Sequence, residues 1–190
     1  VTMTRLWQVQ YGTNVGLSSA FILANPATGA HTLTINCDAA CGSGYFVVIQ
    51  PLYGVAQGNT EGTTWRAPST TTGSGTTISF TAANSSSGDE VFDSMSESSG
   101  GVPTSDPAQT LVYGNSLYGL GGGASYKTAT GANTSFSYTT QYTSYWSAGA
   151  VAIIPAPIPP IITSFTASPS QIASGATSTL SWSISGASTI

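Results

Sequence analysis

The sequence predicts an all-β protein: an antiparallel β-sandwich over residues 1–154, a proline-rich linker over 155–161, and the first two strands of a second β segment over 162–190. Three observations carry this. Apolar and polar residues alternate with period two almost throughout, and no window repeats apolar residues at helical spacing between caps. Clusters of Gly, Asn, Ser and Pro ("NPATG", "ACGSG", "NSSSG", "SSGGVP", "GLGGG", "TGAN") punctuate the alternating runs, the pattern of many short strands joined by turns. Charged residues make up only 5% of the chain, against roughly 25% in an ordinary domain.

The elements follow in order. In "AHTLTIN", His31, Leu33 and Ile35 share one face and Thr32 and Thr34 the other. "YFVVIQPLY" is apolar on both parities and predicts a strand buried on both faces. In "GTTISFTA", Ile78 and Phe80 alternate with Thr77 and Ser79. "GDEVFDSMSES" opens another strand, which carries Asp93 and Glu97. "NTSFSYTTQY" places Phe136, Tyr138 and Tyr142 on one side, and "YWSAGAVAII" sets Trp146 on one parity with Ala148, Ala150 and Ala152. About nine or ten strands fit between Thr4 and Ile154, and a chain of that length buries a substantial core. The prolines of 155–161 favour polyproline II, a semi-rigid spacer. Beyond it, Phe165 belongs to one strand, and Leu180, Trp182 and Ile184 share a face of the next.

Composition narrows the partners. Arg5, Arg66 and Lys127 are the only basic side chains, and the net charge is −4. Phosphate recognition needs clustered cations, so nucleic acid and anionic membrane are poor partners. "VAIIPAPIPPII" is too short and too rich in proline to span a bilayer as a helix. "VTMTRLWQVQ" lacks the charged start and apolar run of a signal peptide, so the leader of an exported protein would be removed or lie upstream. Cys37 and Cys41 fit a disulfide closing a small loop between strands. The rival is half of a metal site, which lacks donors because no second cysteine pair exists and His31 is the single histidine. A disulfide implies an oxidising compartment.

Candidate sites are few, and no cofactor is expected. His31 has no local nucleophile or orienting carboxylate and is expected to be a partly buried structural residue. Asp89, Glu90 and Asp93 are candidate calcium ligands, but no D-x-D-x-D-G spacing surrounds them, and a solvated strand start is the simpler expectation. Trp65 and Arg66, in the polar stretch "GNTEGTTWRAPSTTTGSG", pair an aromatic plane with a fork of donors. They are candidates for a glycan or protein contact, or for an anchor tucked onto the sandwich. Asn84 and Asn133 match the N-glycosylation tripeptide. "LYGLGGGASYK" lacks the spacing of a phosphate-binding loop and is expected to be a flexible loop.

Two resemblances add to this reading. "ITSFTASPSQIASGATSTLSWSISGAS" resembles the opening A and B strands of Ig-like repeats found in tandem in large secreted bacterial proteins. "ATGAHTLTI", "YFVVIQPLYGV", "GDEVFDSM" and "YWSAGAVAIIPA" resemble successive strands of a jelly-roll-like sandwich that often accompanies such repeats. The resemblance implies a secreted, non-catalytic, lectin-like domain of the bacterial cell surface, with further strands before "RLWQVQY". Both ends therefore look cut: either a longer chain continues, or a neighbouring subunit completes the sheets. The function expected is a non-catalytic extracellular structural or adhesion module, such as a fibre subunit, which self-associates or meets other surface proteins through strand edges. The alternative is a carbohydrate-binding module of a larger secreted enzyme or adhesin.

Overall fold

A computed structural model describes residues 3–12, 16–35 and 46–186. Among them every regular element is a strand: β1 (Thr4–Gln10), β2 (Leu17–Ile22), β3 (Ser69–Ala83), β4 (Glu90–Glu97), β5 (Thr104–Ser105), β6 (Thr110–Leu117), β7 (Leu120–Thr128), β8 (Asn133–Ile153), β9 (Ile161–Ser168) and β10 (Thr179–Ser185). All named pairings are antiparallel. The chain divides into two compact units, Val1–Pro155 and Ala156–Ile190.

The first unit is organised by one long antiparallel strand pair, β3 with β8, folded in half. Its main sheet has the order β3-β8-β4-β7-β6, with β5 also on β8. A straight strand as long as β3 would span roughly 45 Å, yet the Ala83 amide donates to Ser69 Oγ at 3.0 Å, joining its two ends. The fold-back occurs where Gly75 pairs with Ser144 but Thr77 pairs with Thr139. Residues 140–143 of β8 thus stand against Thr76 alone, a bulge that bends the strand. Gly75 adopts φ +141° at this corner, a conformation that side chains disfavour.

Folding this pair closes a sandwich upon itself. Ile78 and Phe80 of β3 and Phe136 and Tyr138 of β8 are buried with Val91 and Met95 of β4 and Ala148, Ala150 and Ala152 from the other half of β8. The expected alternation of Ile78 and Phe80 with Thr77 and Ser79 is therefore present, and Trp146 lies in the core. Tyr142 departs from its expected parity and is exposed because it falls in the bulge. On the opposite face of β8, Val151 and Ile153 pack with Trp7 and Trp65, flanked by Leu6, Val9, Ala20 and Ile22 of the β1–β2 hairpin. The second half of β8 is buried on both faces, which explains its run of small and aliphatic side chains.

Three expectations fail here. Residues 31–35 form no strand and are exposed, and His31 is a surface residue whose Nε2–H donates to the Ala27 carbonyl at 2.9 Å. The described part of "YFVVIQPLY" forms no strand and is mostly exposed, Ile49 by 69% and Tyr53 by 90%. An apolar run shows that a strand would be favourable without supplying a neighbour to pair with. Conversely "GLGGG" is no loop: Gly121, Gly122 and Gly123 are buried within β7. A Cβ on Gly122 would lie 2.8 Å from the Phe46 ring, and one on Gly123 would lie 3.0 Å from Tyr138.

In the second unit β9 and β10 pair antiparallel, with Trp182 opposite Phe165 and a register shift between Ser183 and Ile184. Phe165, Leu180 and Trp182 are all more than half exposed.

Candidate functional site

The titratable residues converge on β4, where alternation decides their fate. Val91, Asp93, Met95 and Glu97 share the buried parity. Asp93 is 4% exposed and Glu97 wholly buried, as is Asp89 just before the strand, so this acidic segment is not a solvated strand start. Donors from the protein meet these carboxylates, except at Glu97 Oε1, which is buried with no hydrogen-bond partner among the described residues. Asp93 Oδ1 accepts from the Ser125 amide at 2.8 Å and from Ser125 Oγ at 2.5 Å, and Oδ2 accepts from the Tyr138 hydroxyl at 2.8 Å. Gln109 Nε2 donates to Ser125 Oγ at 2.9 Å, while its Oε1 accepts from the Ser137 amide at 2.6 Å. One polar cluster thereby ties β4 and β7 to the folded-over half of β8.

Burial raises the Asp93 pKa to about 7 despite the opposing hydrogen bonds from Ser125 and Tyr138 and the positive charge of Lys127. Burial, then the neighbouring Asp93, pushes the Tyr138 phenol above its ordinary value. Glu97 Oε2 accepts from the Ser99 amide and hydroxyl at 2.6 and 2.5 Å. A Cβ on Gly121 would stand 2.1 Å from Glu97 Oε1, so only glycine fits beneath it.

Asp89 is held by Arg66 in a two-point contact, Nε to Oδ2 at 2.5 Å and Nη2 to Oδ1 at 3.1 Å. The Ser86 amide adds a third donor at 2.7 Å. The hydrogen bond to Asp89 raises the Arg66 pKa further above its already high value. Trp65 is 5% exposed and packs with Trp7, Val151 and Ile153. Its backbone follows the end of β8: Arg66 N donates to Ala152 O, and Ile154 N to Thr64 O. Trp65 is therefore an anchor on the sandwich and offers no stacking plane, and Arg66 is engaged with a carboxylate. Of the two readings that the sequence left open for Trp65, its burial fits the anchor tucked onto the sandwich.

The three calcium candidates do not converge. Asp89 turns to Arg66, Asp93 enters the core, and Glu90, on the other parity of β4, accepts from Thr128 Oγ1 at 3.2 Å. No group of three His, Cys, Asp or Glu able to hold a metal is found among the described residues. The signal for the buried acids was present in the sequence, because Asp93 and Glu97 share parity with Val91 and Met95. Asn84 and Asn133 are exposed at one end of the β3–β8 pair, where Ala83 pairs with Asn133. Cys37 and Cys41 lie outside the described residues.

Comparison with protein-family models, with curated proteins and with solved structures finds no match to this chain. Among the described residues no helix is long and apolar enough to cross a membrane.

Proposed function

We propose that this chain is a structural or adhesive module of an extracellular protein, working by self-association through open strand edges. The observation that carries this reading is the chemistry of those edges. β3 and β6 are the outermost strands of the main sheet order, and neither carries a charged residue. β9 and β10 form a two-stranded sheet and are equally uncharged. Strand edges present unpaired N–H and C=O groups, and proteins that must stay apart guard them with charge, proline or twist. Among the described residues the guard is limited to register irregularities where β3 meets β8 and β6 meets β7, and elsewhere both strands keep regular register. Uncharged Ser, Thr and Gly side chains lose little solvation when such edges meet another strand. A jelly-roll-like, cell-surface setting beside Ig-like repeats is part of this proposal and draws on the sequence resemblance.

Sedimentation across a wide range of protein concentration tests it. The weight-average mass is expected to rise above the 19.2 kDa of one chain and to fall back when Thr72→Lys and Thr110→Lys place charges on β3 and β6. A mass that stays at one chain under concentrated conditions overturns the reading.

A further inference from the structure

The β8 bulge builds a surface feature that the self-association reading does not use and does not require. Around it lies a cleft of about 320 Å³ lined by Ser74, Ser98, Thr143, Ser144 and Tyr145. Its volume falls at the lower end of the range for small-ligand sites, about 300–1,000 Å³. A second hollow, between the two arms of β3, is about 120 Å³ and too small for a comparable ligand.

Every residue lining the larger cleft carries a hydroxyl group, and none carries a charge. Ser144 is 5% exposed, and its Oγ, itself buried, has no hydrogen-bond partner among the described residues. Buried hydroxyls are rarely left in that condition, and a ligand group that reached Ser144 Oγ would supply the missing partner. Ser98 Oγ accepts from the Tyr145 amide at 3.2 Å, fixing the wall next to it. Tyr145 is 50% exposed and braced by stacking on Tyr11, with ring centroids 4.8 Å apart and planes at 21°. Tyr142, 56% exposed, stands three residues away in the bulge, whose backbone is clipped where Thr140 Oγ1 donates to the Tyr142 carbonyl at 2.9 Å.

We infer that this cleft binds a neutral saccharide. A braced, half-exposed phenol ring offers a flat apolar plane to the C–H face of a pyranose. Clustered serine and threonine hydroxyls act as both donors and acceptors, as sugar hydroxyls require. An acidic or phosphorylated sugar would need a cation, and all three are engaged away from the cleft. Arg5 bonds Gln8, Arg66 bonds Asp89, and Lys127 lies 5.2 Å from the centre of the Phe136 ring.

Affinity electrophoresis of the full chain through gels containing starch, xylan, galactan or mannan, with alginate as the acidic comparison, tests the inference. At least one neutral polysaccharide is expected to retard the protein and alginate not to. Tyr145→Ala is expected to abolish retardation, and Ser144→Ala to weaken it about tenfold, the effect of one lost buried hydrogen bond. Tyr53→Ala, at an exposed aromatic elsewhere, should leave retardation unchanged. Should Tyr145→Ala fail to fold, Tyr145→Phe, which keeps the ring, is expected to bind, and Ser144→Ala then decides. No retardation by any neutral polysaccharide, retardation by alginate alone, or unchanged binding in Ser144→Ala overturns the inference.

Discussion

Ionising Asp93 places a negative charge where only 4% of the residue meets water. The titratable groups near it are Tyr138 from β8, Lys127 from β7 and Glu97 further along its own strand face. Lys127 favours the charge but does not offset its burial, so the folded-state pKa rises to about 7, above the unfolded value of roughly 3.9. A raised carboxyl pKa means that the folded state holds its proton more tightly than the unfolded chain. The associated stability is fully present below about pH 4, declines as pH rises toward 7 and stays low above it. The span is on the order of 4 kcal/mol at most. Wild-type thermal midpoints should therefore fall across this window relative to Asp93→Asn, whose side chain does not titrate. Parallel curves for the two proteins would show that Asp93 is not the responsible group. The Arg66–Asp89 pair is expected to be asymmetric, because the Asp89 side chain is 2% exposed and that of Arg66 29%. Removing the arginine strands a buried charge, whereas removing the aspartate lets the arginine turn to water. Arg66→Ala should cost about 2–4 kcal/mol in urea unfolding, and Asp89→Ala less.

At the scale of elements, the seat of the β1–β2 hairpin depends on a glycine. A Cβ on Gly149 would stand 2.3 Å from Trp7 Nε1, so the indole lies directly against the β8 backbone. Trp7 Nε1 also donates to Ser18 Oγ at 3.3 Å, and Ser147 Oγ donates to the Gly16 carbonyl at 2.7 Å. Gly149→Ala is expected to lift the indole and lower stability by about 1–3 kcal/mol, with a red shift in tryptophan emission. Gly131→Ala, with no atom of the described residues within 4 Å of its added methyl group, should stay within about 0.5 kcal/mol of wild type. This packing also marks what sequence could and could not convey. Period-two alternation identified β3, β8 and the core parity of Trp146 because each pattern records which face of a strand is buried. It could not distinguish β7 from a loop. The glycines that weaken strand propensity at 121–123 are there because Glu97, Phe46, Tyr138 and Met95 lie where side chains would be. Nor could it find the cleft at Ser144 and Tyr145, which comes from four residues of β8 standing against one of β3, a register fact with no local signature.

For the whole molecule, the decisive quantity is how little charge reaches the surface. Of three basic and seven acidic residues, Arg66 and Asp89 neutralise each other, and Asp93 and Glu97 are buried. Association between such surfaces gains little from Coulomb attraction and loses little to repulsion. Raising sodium chloride from about 50 to about 500 mM shortens the screening length from roughly 14 to 4 Å. In a contact built from charged groups, that change would weaken binding severalfold or more. For the self-association proposed above, the concentration at half-association, read by sedimentation velocity at pH 7, is expected to move by less than about threefold over that range. Ammonium sulfate should lower it, because excluded salts favour burial of surface. Approaching the isoelectric point near pH 4.4 should lower it again by removing the residual repulsion of the net charge. Dissociation by simple salt would instead place the few exposed ions at the interface and move the contact away from the uncharged edges of β3, β6 and the β9–β10 hairpin.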